Sequence, residues 1–462
     1  MIWFWFLSVS VAQLQLLSSN TVLSPWSLVP ADRVRDALLR LLSTEHALSC
    51  DAASLGATVE LRSVELSDGS GHAVRFMTPN GASSVSFGSQ LRFSALCGEQ
   101  RHEFLAMRDP SGHYGLLQRR APAAASPIAS VGVRLRVMCF NVFNFNAPWG
   151  ERLQLIADRV VDARADVVML QEVRYASAFV NGDSELRRSR FQLTHLLAAL
   201  RARGSDGWQF VHAPAMYYLN NAAQHFAFDI EGVAILSRAP IVQVDVLPLS
   251  RNPRDTGDEP HQRVVLRARV ATRDGGAIDF FTTHFSLSES AQLRAVHEIM
   301  KWVRAHEARD PHVPQVFGGD LNALPSATSI RTLVGDVSAV ERGDFQDAWS
   351  ARLQQAPPAS DVNQSDASFG ATFPTLGQRP FKRIDYILVR NVDELRVHAF
   401  DVVPDAGVPD MLVTNYERAP DGSVLSTQSR RTVWASDHLA LVAELELRAR
   451  SSKSNVLNKD EL

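Results

Sequence analysis

The chain has little cysteine, three residues in 462, which excludes a disulfide scaffold. It has no excess of either charge. Lys plus Arg is 47 against 50 for Asp plus Glu, a formal net charge of -3. Attachment to nucleic acid by bulk basic charge is therefore excluded, and only a local basic groove stays open. Past the first residues no apolar run reaches about 18, so the mature chain is expected to be soluble. There is no internal repeat. Three signatures are also missing: a Cys/His zinc spacing, a Gly-rich phosphate loop of the Walker type and a Gly-x-Ser-x-Gly elbow. What remains is ordinary globular composition. Apolar residues at 45% and charged residues at 21% exclude a disordered or fibrous chain and supply a large core. The length suits roughly three domain equivalents, or one large domain with a smaller companion.

Residues 2–17 are apolar apart from Ser8, Ser10, Gln13 and Gln15. The run is shorter than the roughly 20 apolar residues of a membrane span. It reads as the core of a signal peptide over 1–24, with Ser18, Ser19 and Ser24 as cleavage positions. An uncleaved signal anchor is the competing reading, because no basic segment precedes the run. The chain ends Lys459, Asp460, Glu461, Leu462. This KDEL is a retrieval address read by the KDEL receptor, so the expected location is the endoplasmic reticulum lumen. In that oxidising space Cys50 and Cys97 could pair, whereas Cys139 lies in an apolar strand pattern and reads as a buried free thiol. Asn363-Gln364-Ser365 is an N-glycosylation sequon.

A short helix is expected over 31–48, and Gly- and Ser-punctuated alternation over 57–118 predicts strands. Together 31–120 reads as a small β-rich accessory module. The Pro-, Ala- and Ser-rich stretch 121–131 reads as a linker. Beyond it the texture changes. Strands are expected at 133–141, 166–171, 208–212, 231–237, 263–270, 277–284, 314–319, 383–389 and 438–446, and helices at 150–163, 186–203, 288–308 and 326–336. This interleaving predicts a layered α/β domain over 132–450, followed by a tail at 451–462. Segments 213–228 and 400–434 read as long insertions, the second ending in Val433-Trp434.

Polar residues gather where these strands end. Asn141 closes the first strand, and Gln171 and Glu172 close the second. His284 closes a third, Asp320 and Asn322 a fourth. Asp385 lies in KRIDYILV, and Asp437 and His438 open the last strand. Singly, each is an ordinary turn former or structural histidine. As an ordered set of carboxylates, amides and two histidines they suit a common oxygen-rich site, which favours a hard cation such as Mg²⁺ over zinc.

The stretches CFNVFNF, LQEV, EGVAILSR, TTHFS, GGDLNALP, KRIDYILV and SDHLALV follow one another as in the endonuclease/exonuclease/phosphatase superfamily, whose members resemble deoxyribonuclease I. The resemblance covers about 132–450. It implies an α/β fold, a four-layered α/β sandwich (deoxyribonuclease I-like), here preceded by the small β-rich N-terminal module. It also implies roles. Glu172 is the principal metal ligand, with Asn141 beside it on metal or phosphate and Asp437 assisting. Asp320 deprotonates the attacking water, and Asn322 holds a phosphate oxygen and keeps Asp320 aligned. His438, oriented by Asp385, donates to the phosphoryl oxygen. His284 is a second phosphate-contacting or acid group, with Glu231 as its partner. No expected position is missing, which argues against a dead enzyme.

Such a set implies Mg²⁺, with Mn²⁺ as a substitute, and hydrolysis of a phosphate ester. The transition state of that reaction spreads negative charge over the phosphoryl oxygens. Lumenal retention, acidic net charge and aromatic loops favour a lipid or glycolipid head group, as in a sphingomyelinase, with peripheral membrane contact and a monomeric chain. A deoxyribonuclease-like enzyme acting on nucleic acid and a non-catalytic lumenal binding protein are the alternatives. The loop 249–263 is long and charged.

Overall fold

The computed structural model describes residues 50–447 apart from 58–61, 64–74, 79–80, 85–88, 98–99, 109–113, 121–133, 176–190, 221–226, 253–260, 273–275, 312, 338–342, 356–369, 391–394 and 419–423. The signal segment, the 31–48 helix, the linker, the Asn363 sequon and the KDEL tail all lie outside the described residues, as does most of the charged loop. No helix among the described residues is long and apolar enough to cross a membrane.

Short strands come first: β1 (Cys50–Ala57), β2 (Arg62–Ser63), β3 (Arg75–Thr78), β4 (Gly81–Ser84), β5 (Ser89–Cys97), β6 (Gln100–Arg108) and β7 (Tyr114–Arg120). Then follow β8 (Arg134–Asn141), α1 (Trp149–Asp162), β9 (Val167–Tyr175), α2 (Gln192–Ala202), β10 (Gln209–Asn220), β11 (Ala227–Ser237), β12 (Ile241–Pro248), β13 (Val264–Ala271) and β14 (Ala277–His284). The remainder is α3 (Glu289–Arg309), β15 (Gln315–Asp320), α4 (Thr328–Leu333), β16 (Gln346–Asp347), α5 (Ala348–Gln355), β17 (Asp385–Arg390), β18 (Leu395–Val402), β19 (Val408–Arg418), β20 (Val424–Val433) and β21 (Leu441–Leu447).

One sheet runs β1-β5-β6-β7-β10-β11-β9-β8-β21-β18, and a second, six-stranded sheet runs β12-β13-β14-β15-β17-β16. The N-terminal strands join the first sheet where Gln118 and Arg119 of β7 pair with Val211 and Phe210 of β10. Across β1 and β5, Cys50 and Cys97 are register partners.

Side-chain alternation explains the layering. Val137 and Cys139 of β8 face inward and share a core with Val316 of β15 and Ile387 and Val389 of β17. The intervening Met138 and Phe140 point the other way, against Leu153, Ile156 and Val160 of α1 and Leu196 and Leu200 of α2. On the second sheet Phe281, Phe317 and Leu388 point outward, against Val296, Ile299, Met300 and Val303 of α3. Both faces of each central strand are thus buried, which is why these strands read as nearly continuous apolar runs. The helix stripe at i, i+3, i+4 and i+7 covers the outer face, and Ser288 caps α3 by accepting from the Ala291 N–H. Three cores separate four layers, helices outside and sheets inside. The sheets approach closely at Gly318, where a Cβ would lie 2.3 Å from Met169 Cε across the interface.

The two expected insertions are structured. Residues 213–220 and 227–228 are the paired ends of β10 and β11, and 408–433 contains the β19–β20 ribbon, a separate two-stranded sheet.

Candidate active site

The inward parity of the central strands carries the polar set to one end of the sandwich. In the second sheet, parallel β14 and β15 set His284 beside Asp320, and antiparallel β15 and β17 set Asp320 beside Asp385. In the first sheet, β8 and β9 set Asn141 beside Gln171. By strict alternation Glu172 would point outward like Leu170. It does not, because β9 bulges there. The β9–β11 register slips between Gly232 and Ala234, and Glu172 takes φ +56°. Such a conformation in a non-glycine residue costs on the order of 1–3 kcal/mol, and bulges recur where a side chain must be re-aimed.

Asn141 stands at the centre of the set. Its Nδ2 donates to Glu172 Oε1 (3.1 Å) and to Asp320 Oδ2 (3.0 Å), while its Oδ1 accepts from the Phe143 N–H (3.0 Å). The amide nitrogen, not the oxygen, faces the carboxylates. In this arrangement Asn141 links Glu172 to Asp320 through its amide nitrogen. Asn144 Nδ2 adds a second donor to Glu172 Oε2 (3.3 Å). Asp320 Oδ1 accepts from the backbone N–H of Asn322 (2.9 Å), so Asn322 aligns Asp320 as expected, but through its main chain. The Asn322 side chain donates one of its two amide N–H groups to Phe285 O (3.0 Å).

His438 Nδ1 lies 2.8 Å from Asp385 Oδ2, and its Nε2 lies 3.6 Å from Asp320 Oδ2 and 3.9 Å from Asp437 Oδ1. His284 Nε2 approaches the same Asp320 oxygen at 3.5 Å. His284 and Glu231 line one cavity with Met216, Gly232 and Arg263. The structure therefore brings Asn141, Glu172, His284, Asp320, Asn322, Asp385, Asp437 and His438 to one place, with Glu231 on its flank.

Burial dominates the electrostatics. It raises the Asp320 carboxyl, and the Asp385 charge adds to that rise against the pull of His438. Burial pushes Asp437 up to about 6, helped by Glu172, and pushes Glu231 up to about 7, again helped by Glu172. Burial alone would lower His438, but Asp385, Asp320 and Asp437 outweigh it, and the imidazole is held well above its ordinary value. The upward shifts of Asp320, Asp437 and Glu231 thus come first from burial, with neighbouring carboxylates adding to it.

Oxygen donors gathered in this way suit a hard divalent cation. Glu172 and Asp437 are the carboxylates expected from the sequence to hold one. Ligand atoms of Asp320, Asp385 and His438 also lie within 4.8 Å of one another. That trio sets His438 Nδ1 against Asp385 Oδ2, which favours the protonated imidazole. It is a proton-handling pair with a carboxylate behind it.

Sequence reasoning missed Arg152. This residue on α1 is 3% exposed. It donates to Ala435 O (3.1 Å), Phe143 O (3.3 Å), Asn144 O (3.3 Å), Asn146 O (2.7 Å) and Val142 O. It ties the loop after Asn141 to the residue preceding Ser436. Its signal was a lone cation in the buried stripe Trp149, Arg152, Leu153, Ile156 and Val160. Ser436 was missed too; its Oγ donates to Asn141 O (2.6 Å) and accepts from the His438 N–H (3.2 Å).

Among solved structures the chain is similar to an endonuclease/exonuclease/phosphatase family protein from Bacteroides thetaiotaomicron (20% identity, 68% of this chain and 96% of that one, TM-score 0.45). It is similar to the mannosyl-6-phosphatase of the same bacterium (20% identity, 67% and 99%, TM-score 0.44). It is also similar to the human Nocturnin catalytic domain with bound sulfate (16% identity, 70% and 97%, TM-score 0.44). No curated protein matches the chain. The model of one protein family matches residues 138–438. That span runs from the core of β8 to His438 and holds every residue of the constellation, so the chain belongs to the Endonuclease/Exonuclease/phosphatase family, whose members are hydrolases of phosphoester bonds.

Proposed function

We propose that the chain is a divalent-metal-dependent phosphodiesterase, with Mg²⁺ as its ion and Mn²⁺ as a substitute. The observation that carries this reading is the facing pair Asp320 and His438, 3.6 Å apart, both buried, beside the carboxylates Glu172 and Asp437. Asp320, raised by burial, is a usable base. It takes the proton of a water whose oxygen attacks phosphorus as the bond to the leaving oxygen breaks. His438, kept positive by Asp385, places charge and a proton at a phosphoryl oxygen where negative charge develops. His284, on the other side of Asp320, contacts the phosphate, and Glu231 orients it. A cation held by Glu172 and Asp437 would supply Lewis acidity to the same oxygens. Asn141 and the Asn322 main chain keep Asp320 in register.

For the substrate we propose the phosphate ester of a lipid or glycolipid head group, met in the endoplasmic reticulum lumen. The KDEL ending and the apolar start of the chain support that location.

The test is turnover by the full chain with Mg²⁺ of bis-p-nitrophenyl phosphate, sphingomyelin vesicles and plasmid DNA. Expected are release of p-nitrophenol that stops with a chelator, cleavage of the lipid, and loss of both in Asp320→Ala and His438→Ala with folding intact. Undiminished rates in chelator, or in either variant, would overturn the mechanism. Nicking of plasmid with no action on vesicles would overturn the lipid reading alone.

A further inference from the structure

Large apolar side chains face water on turns that adjoin this polar centre. Leu287 is 70% exposed, Phe381 55%, Leu324 46% and Leu376 44%. Scattered exposed leucines are normal on a protein surface. These four are not scattered. Leu287 lies three residues past His284, and Leu324 two past Asn322. Gln292 Nε2 donates to both Ser286 O (2.8 Å) and Asn322 O (3.0 Å), which holds those two turns side by side.

The Tyr386 hydroxyl continues the chain of contacts. It donates to Ala323 O (2.7 Å) and lies 3.2 Å from Arg383 O, tying the Leu324 turn to the base of the loop 373–382. That loop is a small hairpin closed by paired main-chain hydrogen bonds between Phe373 and Lys382. It leans on the catalytic end, with the Phe373 ring 4.7 Å from that of His438 and the Thr375 N–H donating to Asp437 O (2.9 Å). The loop exposes Leu376, Arg379, Phe381 and Lys382 and contains no acidic residue. Lys382 Nζ sits 5.8 Å from the ring centres of both Phe373 and Phe381.

On the loop 373–382 apolar side chains interleave with cations and no acid, while on the neighbouring turn the exposed Glu289 follows Leu287 by two residues. An apolar and cationic loop of this kind partitions into the boundary between head groups and acyl chains. The apolar groups enter, and the cations meet lipid phosphates. We propose that the loop 373–382, with Leu287 and Leu324, is an interfacial docking surface for a bilayer bearing anionic head groups, and that it seats the mouth of the site on the membrane. This rests on the phosphoesterase reading for its purpose, but not for its measurement.

The experiment is co-sedimentation of the full chain with vesicles of phosphatidylcholine, with and without phosphatidylserine. The wild type sediments with the anionic vesicles. Leu376→Ser/Phe381→Ser weakens that partition about a hundredfold, on the order of tenfold per side chain withdrawn. Arg379→Glu/Lys382→Glu removes the preference for phosphatidylserine. In both variants turnover of soluble bis-p-nitrophenyl phosphate stays at the wild-type rate, which shows that the fold and the site are intact. The proposal is overturned if the wild type stays in the supernatant or if the apolar variant sediments as well as wild type. It is equally overturned if the four substitutions weaken binding to a nucleic-acid oligomer and leave vesicle binding alone. Failure of the wild type to turn over the soluble ester would instead count against the phosphoesterase reading, and vesicle partition would still be read directly.

Discussion

Arg152→Met is the most informative single substitution outside the reacting groups. Methionine keeps the stem of the side chain and removes the guanidinium. Five main-chain carbonyls, those of Val142, Phe143, Asn144, Asn146 and Ala435, then lose a donor, although Asn146 still donates to Phe143 O and Gln192 to Asn144 O. A hydrogen bond from a charged group contributes roughly 1.5–3 kcal/mol, but five on one group do not add, because the loop relaxes. Removing one side of a buried charged network costs about 3–5 kcal/mol. At about 2–4 °C per kcal/mol for a domain of this size, the melting temperature should fall by on the order of 10 °C. Activity should fall as well. The freed loop carries Asn144, a donor to Glu172, and follows Asn141, which clamps Glu172 to Asp320. Arg152 stays charged although burial lowers it to about 10, and it offsets the Asp437 and Glu172 carboxylates. Arg152→Lys keeps the charge but has only three donors for five acceptors, and it should fall between wild type and Arg152→Met. Thermal unfolding and kcat on a soluble diester measure both effects. A methionine variant that melts within a degree or two of wild type at unchanged kcat would refute the positioning role.

Asp385→Asn removes the carboxylate that holds His438 positive. The rate should drop about 10²–10⁴-fold, and the alkaline limb of the pH–rate profile should move to lower pH; a limb that stays in place would contradict the assignment. His212 is held by burial at about 4 against an ordinary 6.5. Between those values the unfolded chain binds a proton that the folded chain refuses. Its stabilising contribution is therefore complete above about pH 6.5 and is lost as pH falls toward 4, by up to about 3 kcal/mol. His212→Phe should flatten acid unfolding in that window, and parallel curves for variant and wild type would show that this histidine is not the cause.

Much of the fold could be read because the central strands bury both faces. Val137 to Phe140, Phe280 to Thr283 and Val316 to Gly319 are apolar or small without interruption, and the polar residue that ends each run marks the open end of the sandwich. Strands exposed to water gave no such signal. β12 buries Ile241 but exposes Val242 and Val246, and the β19–β20 ribbon buries Val413 and Val433 but exposes Leu412 and Leu425, so neither shows a clean alternation. The identities of the site residues were legible, but their geometry was not. Alternation alone aims Glu172 at the wrong layer, and only the bulge corrects it. That Asn141 turns its nitrogen to the carboxylates depends on the Phe143 N–H taking its oxygen. Arg152 contributes through partners scattered over 142–146 and 435, and no spacing in the sequence predicts that convergence.

The central claim is that Glu172 and Asp437 hold one divalent cation beside a base and an imidazolium that are not themselves ligands. Anomalous diffraction from crystals of the full chain soaked in Mn²⁺ tests it most directly. The account predicts a single peak at ligand distance from the Glu172 and Asp437 carboxylates that vanishes in Glu172→Gln. A peak enclosed by Asp320, Asp385 and His438, or crystals that take up no metal, would contradict it.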